Sequence, residues 1–362
     1  MDDNWLTGRK EMVNMRSFDY SKLESLKIDM EIINYLSKIH EYKGRQDLYI
    51  RQKPAELAKL VEIAKIQSTE SSNSIEGIFS TSTRIRELVK EKTTPRNRSE
   101  KEIVGYKDVL NTIHESHDFI PIEGRYILQL HRDLMKHAGF SYGGSYKNTQ
   151  NYINETLPDG TQVTRFTPVA PYETAGAIDA ICESFNREIA LEKIDPLILI
   201  PCFIIDFLCI HPFNDGNGRM SRLLTLLLLY RSGFVVGKYI SIEKQIEKTK
   251  DAYYDVLENA DQGWHEEIND PTPFIKYMLQ LILACYVEFE ERVNLNSGIS
   301  SAKDIVRAYT VNKIGKFTGA DVIINCPTIG RSAILKALKE LVEEGSVERY
   351  GTGRSTYYVT KR

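Results

Sequence analysis

The sequence has 362 residues and a mass of 41.5 kDa, a length that predicts two or three domains. Hydrophobic residues make up 42% and charged residues 27%, a composition that excludes a disordered or fibrous chain. The net charge of −3 is unevenly spread, because residues 301–362 carry eleven Lys and Arg against six Asp and Glu (+5), which leaves −8 for residues 1–300. A basic tail on an acidic body makes nucleic acid a candidate partner.

The cysteines indicate the compartment. They are five in number, widely spaced and mostly set among apolar residues, so we expect reduced, buried thiols rather than disulfides or a zinc site; they are Cys182, Cys202, Cys209, Cys285 and Cys326. The first ten residues are polar and predict no signal peptide. The longest apolar run, 197–210, is shorter than the roughly 20 residues that cross a bilayer. We therefore expect a cytoplasmic protein with no membrane association.

The first half of the chain is predicted to be mostly helical. Apolar residues recur at helical spacing over 22–41, 54–68, 83–92, 101–116, 122–138 and 174–190. A Ser-rich stretch at 68–74 and a polar loop at 92–100 interrupt this pattern. Pro-Asp-Gly at 158–160 is typical of a turn and predicts a β-hairpin with strands over 145–153 and 161–166.

The second half contains two segments, 197–210 and 219–231, that are apolar nearly all round and are expected in the middle of a domain. The polar segment 211–218 is therefore held between two core helices. Further helices are predicted at 241–260 and 270–292, followed by a linker at 293–302.

The last sixty residues have their own pattern. Helices are predicted near 302–313, 319–325 and 328–344, and short strands at Val347–Tyr350 and Ser355–Val359. Three helices and a hairpin in a basic module are typical of a winged helix. The expected organisation is an N-terminal helical segment (1–99), a helical core (100–292) and a winged-helix-like domain (301–362).

The segment 211–222 carries the most chemical information. Gly216 and Gly218 let the backbone fold tightly and leave amide N–H groups uncovered at the start of helix 219–231. The dipole at a helix N-terminus favours negative charge. This predicts an anion-binding nest.

The polar residues of the same segment suit the transfer of a phosphate-containing group. Arg219 and Arg222 are three apart on the first turn and share a face that can reach phosphates. Asp215 is a hard oxygen ligand suited to Mg²⁺, and Asn217 can donate to a phosphate oxygen. His211 ends the preceding helix, where a neutral imidazole can accept a hydroxyl proton.

The same residues also have a purely structural interpretation. Residues 215–218 are also compatible with a simple turn, Phe213 with a core anchor, and a His at a helix end with a cap. An EF-hand is excluded because Arg219 would occupy the fifth position, which needs an oxygen ligand. The phosphate-loop and dinucleotide-binding motifs are absent from the sequence. Two arginines, an Asp and an Asn together favour the functional interpretation.

At these residues the sequence resembles the Fic family, whose signature H-x-F-x-[DE]-G-N-G-R-x-x-R is met at every fixed position from His211 to Arg222. The resemblance implies an all-α Fic core with a small β-hairpin flap that docks a target segment by strand pairing. The flap usually carries Arg where this chain has Lys147, so the flap contacts are the point of departure from the family pattern.

The resemblance also implies the roles of the residues. His211 would be the general base and Asp215 the Mg²⁺ ligand. Phosphate binding would fall to Arg222 at the γ-phosphate and, at the other phosphates, to Gly216, Asn217, Gly218 and Arg219. The implied activity is ATP- and Mg²⁺-dependent transfer of AMP to a Ser, Thr or Tyr hydroxyl of a protein.

A second motif lies upstream. The run Ser72 to Gly77 resembles the family's inhibitory motif [ST]-x-x-x-E-[GN], in which Glu76 would pair with Arg222 in the place of the γ-phosphate. The alternative is that Asn73 caps the start of a helix with Glu76 at its third position. Beside a Fic core we favour the inhibitory interpretation.

Other residues give weaker signals. His114 and His117 are expected at the surface, and the remaining histidines lack metal-ligand spacing. An exposed tyrosine is a candidate for self-modification. Two further functions stay open: removal of AMP or transfer of another phosphate-linked group, and a DNA-binding regulator that uses its core as a nucleotide sensor. Homodimer formation and DNA binding through residues 301–362 are likewise left open.

Overall fold

The computed structural model describes residues 16–52, 54–156, 159–297, 302–313, 315–326 and 329–361. These residues form a predominantly helical protein, as predicted. The α-helices are α1 (Met30–Gln52), α2 (Pro54–Ile75), α3 (Ser82–Val89), α4 (Arg98–Ser116), α5 (Gly124–Met135), α6 (Pro171–Leu191), α7 (Pro196–Ile210), α8 (Asn217–Arg231), α9 (Ile242–Lys248), α10 (Lys250–Asp261), α11 (Thr272–Ser297), α12 (Ala302–Asn312), α13 (Gly319–Asn325) and α14 (Arg331–Glu343).

The strands form two small sheets. In the first, β1 (Ile153–Thr156) pairs antiparallel with β2 (Gln162–Phe166), and Asn154 lies opposite Thr164. The second has the order β3-β5-β4, with β3 (Lys316–Phe317), β4 (Val347–Tyr350) and β5 (Tyr357–Thr360) all antiparallel.

The core is built around α7 and α8, which pack against each other and are enclosed by α4, α6, α10 and α11. Nearly every residue of both helices is buried, as their all-round apolar pattern predicts. The side chain of Asp195 caps α7 by accepting the Leu197 N–H at 2.9 Å. The polar turn between α7 and α8 is thus held at a fixed place inside the protein.

Several predicted boundaries were wrong. The helix predicted at 22–41 begins only at Met30, after a short 3₁₀ turn at Tyr20–Ser25. The helix predicted at 241–260 is broken at Thr249 into α9 and α10. The first hairpin strand starts at Ile153, and residues 145–152 before it are irregular.

The Ser-rich stretch at 68–74 is part of α2, which was predicted to end before it. The Ser68 hydroxyl donates to Oε2 of Glu243 at 2.7 Å, and the Ser71 hydroxyl donates to Oε2 of Glu247 at 2.9 Å. These partners on α9 satisfy hydroxyls that would otherwise compete with the helix backbone. The serines therefore dock α2 instead of ending it.

The C-terminal elements have a separate apolar cluster that includes Val306, Phe317, Ile334 and Leu338. Helices α12 to α14 and strands β4 and β5 appear in the predicted order, and β3 adds a strand that was not predicted. Parts of several predictions lie outside the described residues: 1–15 of the N-terminal segment, Leu157-Pro158 of the hairpin turn, 298–301 of the linker, Pro327-Thr328 before α14, and Arg362 at the end of the tail.

The five cysteines are buried free thiols, as expected. His114, in contrast, is not at the surface: it is 1% exposed, and its Nε2 lies 3.2 Å from the Tyr230 hydroxyl. Burial among cationic neighbours lowers the pKa of His114 to about 3. No helix in the described part of the chain is long and apolar enough to cross a membrane.

Candidate active site

The turn between α7 and α8 places His211 at its entrance. His211 follows the last residue of α7 and has φ 49° and ψ 62°, in the left-handed region, while its N–H still donates to the Phe207 carbonyl at 3.0 Å. A non-glycine residue adopts this conformation only where its surroundings hold it. The backbone therefore turns sharply at the residue that the sequence singles out as the base.

Asn217 closes this turn from the inside. Its Oδ1 accepts the Phe213 N–H at 2.9 Å, and its Nδ2 donates to the Phe213 carbonyl at 2.8 Å. The structure thus gives the Asn217 side chain a loop-closing role that the sequence did not suggest. Phe213 is fully buried, as expected of a core anchor, and stacks on His131 with ring centroids 3.6 Å apart.

His131 was not singled out by the sequence. It is fully buried on α5, and its Nε2 donates to the Asp215 carbonyl at 3.0 Å, while its Nδ1 accepts the Gly144 N–H at 3.1 Å. Burial lowers its pKa to about 4, which agrees with this neutral tautomer. The sequence did not predict this contact because His131 and Asp215 are 84 residues apart and no periodic pattern links them.

The His211 imidazole is oriented for proton acceptance. Its Nδ1 lies 3.3 Å from the Leu208 carbonyl, which can only accept, so Nδ1 carries the proton and Nε2 keeps a free lone pair. Burial, assisted by the Lys147 charge, lowers the pKa of His211 to about 4 despite the Leu208 bond and Glu76. The ring is therefore neutral at physiological pH.

Arg222 is the most strongly anchored cation of the site. It is 3% exposed; its Nε donates to the Ser72 hydroxyl at 2.8 Å and its Nη2 to the Ser72 carbonyl at 2.9 Å. The same Nη2 donates to Oε1 of Glu76 at 2.7 Å. The contact predicted between Glu76 and Arg222 is confirmed, and Ser72 belongs to it.

Glu76 also lies on the nest. A Cβ built on Gly218 would stand 2.2 Å from Oε1 of Glu76, so only glycine at this position lets the carboxylate approach the start of α8. Burial alone would raise the pKa of Glu76, but Arg222, Arg219 and Lys250 outweigh it and the pKa is lowered. The ionised carboxylate thus occupies the anion position at the helix N-terminus.

The capping alternative for Glu76 was wrong. Residues 72–75 form the last turn of α2, and Asn73 lies inside that helix, where its Nδ2 donates to the Thr69 carbonyl at 2.7 Å. Gly77 has φ +76° just past the helix end, and the Ile78 N–H returns to the Asn73 carbonyl at 2.9 Å. The motif ends a helix, as a C-terminal glycine stop does, and does not begin one.

The Arg219 side chain contacts carboxylates that the sequence did not predict as its partners. Its Nη1 lies 2.9 Å from Oε2 of Glu102 on α4, and its Nη2 lies 3.6 Å from Oδ1 of Asp215. Arg219 is 1% exposed and does not line the cavity beside Arg222. The two arginines, three apart in sequence, therefore have separate surroundings.

Asp215 keeps the half-exposed position that a metal ligand needs, with 43% of its side chain exposed. Its Oδ1 accepts the Gly216 N–H at 2.6 Å. Among the described residues, no group of three His, Cys, Asp or Glu could enclose a metal ion. A cation here would take its other ligands from phosphate oxygens and water, which is the usual coordination of Mg²⁺ in proteins.

A cavity of about 180 Å³ lies beside part of this motif, and neither Asp215 nor Arg219 is among its lining residues. Its lining includes Glu76, His211, Gly218 and Arg222, together with Arg165 of β2 and Asp261 of α10. The Nη1 of Arg165 contacts both carboxylate oxygens of Asp261, at 2.9 and 2.7 Å. With Glu76 inside, the cavity is smaller than the roughly 300–1,000 Å³ that small-molecule sites usually measure.

Comparison with known families and sequences agrees with this site. Residues 121–229, which contain the whole motif, match the model of the Fic/DOC family. The chain is 31% identical over 186 residues to protein adenylyltransferase fic-1 of Caenorhabditis elegans, covering 50% of this chain and 32% of that protein. It is 28% identical over 271 residues to protein adenylyltransferase Fic of Drosophila melanogaster, covering 73% and 47%. The chain thus spans about a third to a half of these curated relatives.

Solved structures share the fold. A Fic family protein from Desulfovibrio desulfuricans G20 aligns with a TM-score of 0.61 at 19% identity, over 93% of this chain and 97% of that one. Fic-1 of C. elegans, residues 134–508, aligns with a TM-score of 0.56 at 22% identity, over 74% of each chain. At these identities the likeness concerns the fold alone.

Proposed function

Because this chain contains a Fic domain of the Fic/DOC family, we propose that it is a protein adenylyltransferase, which transfers AMP from ATP to a Ser, Thr or Tyr hydroxyl of a protein. The observation that carries the proposal is the shared cavity, in which the neutral His211 faces the same space as Gly218 and Arg222. Adenylyltransferase relatives and the complete motif support it.

In this reaction His211 acts as the general base. Its Nε2 accepts the proton of the target hydroxyl as that oxygen attacks the α-phosphorus of ATP. The new O–P bond forms as the bond to the β-phosphate oxygen breaks, and pyrophosphate leaves. The start of α8 and Arg222 hold the phosphates in line for this attack.

Asp215 is the residue that would hold Mg²⁺ against the phosphates. Its half-exposed carboxylate, fixed by the Gly216 N–H, fits a cation that takes its other ligands from phosphate and water. Mg²⁺ held there would neutralise phosphate charge and so favour departure of pyrophosphate.

Glu76 makes the site autoinhibited. Its carboxylate takes the Nη2 of Arg222 and the space above Gly218, where the γ-phosphate would bind. Arg222 stays anchored to Ser72 through two bonds that do not involve Glu76. Outward rotation of one side chain therefore suffices to open the position for phosphate.

The test uses ATP labelled either at the α- or at the γ-phosphate, incubated with a cell lysate and the wild-type or Glu76→Gly protein. We expect protein-bound label from α-labelled ATP only, and more of it with the variant. Self-modification appears as label on the enzyme band. Label from γ-labelled ATP would mean kinase-type transfer and would overturn the proposal.

The tail and the compartment complete the proposal. Residues 302–361 form a winged-helix-like module for target docking or dimer formation, with duplex DNA as a second candidate partner because Arg331, Lys336 and Lys339 are exposed on α14. Free buried thiols suit a reducing cytoplasm.

A further inference from the structure

The segment that leads into the hairpin is hydrogen-bonded to the turn that carries His211. Lys147 donates its backbone N–H to the Pro212 carbonyl at 2.8 Å and its Nζ to the Ile210 carbonyl at 2.9 Å. Asn151 donates Nδ2 to the carbonyls of His211 and Phe213, both at 3.1 Å. All four consecutive carbonyls from 210 to 213 therefore accept a bond from these two residues.

The two side chains also fix each other. Nζ of Lys147 donates to Oδ1 of Asn151 at 2.8 Å. Because an ammonium group can only donate, Oδ1 of Asn151 must face it, and this orientation turns both Nδ2 hydrogens toward the turn. Lys147 is 3% exposed, so its charge is held in place by these acceptors and not by water.

These hydrogen bonds act on the residue whose backbone conformation is unfavourable for a non-glycine side chain. His211 has a left-handed conformation, and its carbonyl points to Asn151 while its Nδ1 faces the Leu208 carbonyl. Without Asn151 the His211 carbonyl loses the donor that holds it, although Lys147 still holds the Pro212 carbonyl and Asn217 the Phe213 backbone. The imidazole of His211 is then less precisely directed. In a proton transfer that depends on alignment, small misplacements have large effects.

We propose that Lys147 and Asn151 are positioning residues for the transfer reaction, which hold the His211 turn so that Nε2 faces the cavity. The inference rests on the proposed adenylyltransferase function. Asn151 is two residues before β1. The same hydrogen bonds therefore connect the base His211 to the hairpin where a target segment would dock.

The decisive variant is Asn151→Asp. Its carboxylate keeps the size of the side chain and an acceptor for Lys147, but it cannot donate to the two carbonyls. In the Glu76→Gly background we expect kcat for AMP transfer to fall roughly 10- to 100-fold. The affinity for ATP, measured by calorimetry, should change by less than about threefold, because the phosphates contact α8 and Arg222.

Two lysine variants complete the test in the same background. Lys147→Met should lower kcat in the same way, and Lys147→Arg, which restores a cationic donor, should recover most of it. Lys193→Met is the matched control, because Lys193 is 58% exposed and its ion-pair partner among the described residues is Glu24 at the surface. The kcat of this variant should not change.

The outcomes separate the two proposals. If Glu76→Gly transfers no label from ATP, the proposed function is wrong. If it does, and Asn151→Asp keeps kcat within about twofold, the positioning role is wrong. It is also wrong if kcat, ATP affinity and the unfolding midpoint all fall together in Asn151→Asp, since that result describes a general loss of structure.

Discussion

Oε1 of Glu76 lies 2.7 Å from Nη2 of Arg222, although the two residues are 146 positions apart in the sequence. The pair is charge-assisted and nearly buried at its arginine end, where 2% of the side chain is exposed. Burial would lower the pKa of Arg222, but the Glu76 carboxylate outweighs it and the pKa is raised, so both partners stay ionised. In the proposed function this carboxylate takes the position of the γ-phosphate of ATP.

The first prediction concerns this pair. Glu76→Gly should raise AMP transfer about tenfold or more, because the binding-competent arrangement no longer competes with the inward carboxylate. Nucleotide affinity should change less. Arg222→Ala should abolish the gain in the double variant, since the γ-phosphate then lacks its partner. Equal activity of wild type and Glu76→Gly in a label-transfer assay would contradict the inhibitory role.

The second prediction concerns the base. His211→Ala should lower transfer by about 10² or more while ATP binding persists. Because the neutral imidazole is the active form and burial lowers the pKa of His211 to about 4, the wild-type rate should not fall between pH 7.5 and pH 6 through protonation of this residue. A pH–rate profile measures this; transfer by His211→Ala near the wild-type rate would rule out the mechanism.

The third prediction concerns the metal. Asp215→Ala should weaken Mg²⁺-dependent ATP binding and reduce transfer by about tenfold or more, since a metal at the phosphates contributes several kcal/mol. Calorimetry with ATP in the presence and absence of Mg²⁺ checks this. Unchanged wild-type activity in EDTA would exclude the role.

The fourth prediction concerns stability. The folded state keeps His114 neutral, with a pKa of about 3, whereas the unfolded chain binds a proton below about 6.5. Stability is therefore lost as pH falls through 6.5 toward 3, and this residue contributes about 2 kcal/mol of loss at pH 5. Urea unfolding at pH 7 and pH 5 should show a smaller loss for His114→Gln. An equal loss in both proteins would refute this.

The fifth prediction concerns the tail. Residues 302–361 have their own apolar cluster, so residues 1–300 alone should fold and keep self-modification. If the exposed cations of α14 serve nucleic acid, the full chain should bind duplex DNA with a steep salt dependence that Lys336→Glu weakens. Absence of binding at low salt would assign the module to protein docking.

The sequence by itself predicted the elements that depend on local chemistry. The apolar segments 197–210 and 219–231 became α7 and α8 because an all-round apolar helix is stable only inside a domain. The motif between them was readable because its residues lie within twelve positions. Glu76 was singled out because its short motif accompanies the Fic signature, and its pairing with Arg222 was what the resemblance to the inhibitory motif implied.

Tertiary structure decided which side chains the motif residues meet. Glu102 contacts Arg219 from 117 positions away in the sequence. His131 donates to the Asp215 carbonyl from 84 positions away, and Asn151 donates to the His211 carbonyl from 60 positions away. Single polar contacts of this kind leave no periodic trace. The same holds for the serines of α2. From the sequence they predict the end of a helix, whereas in the structure carboxylates of α9 accept their hydroxyl hydrogens and the helix continues. Hydrophobic periodicity determines which faces are buried, whereas a hydrogen bond depends on where two distant backbones come to lie.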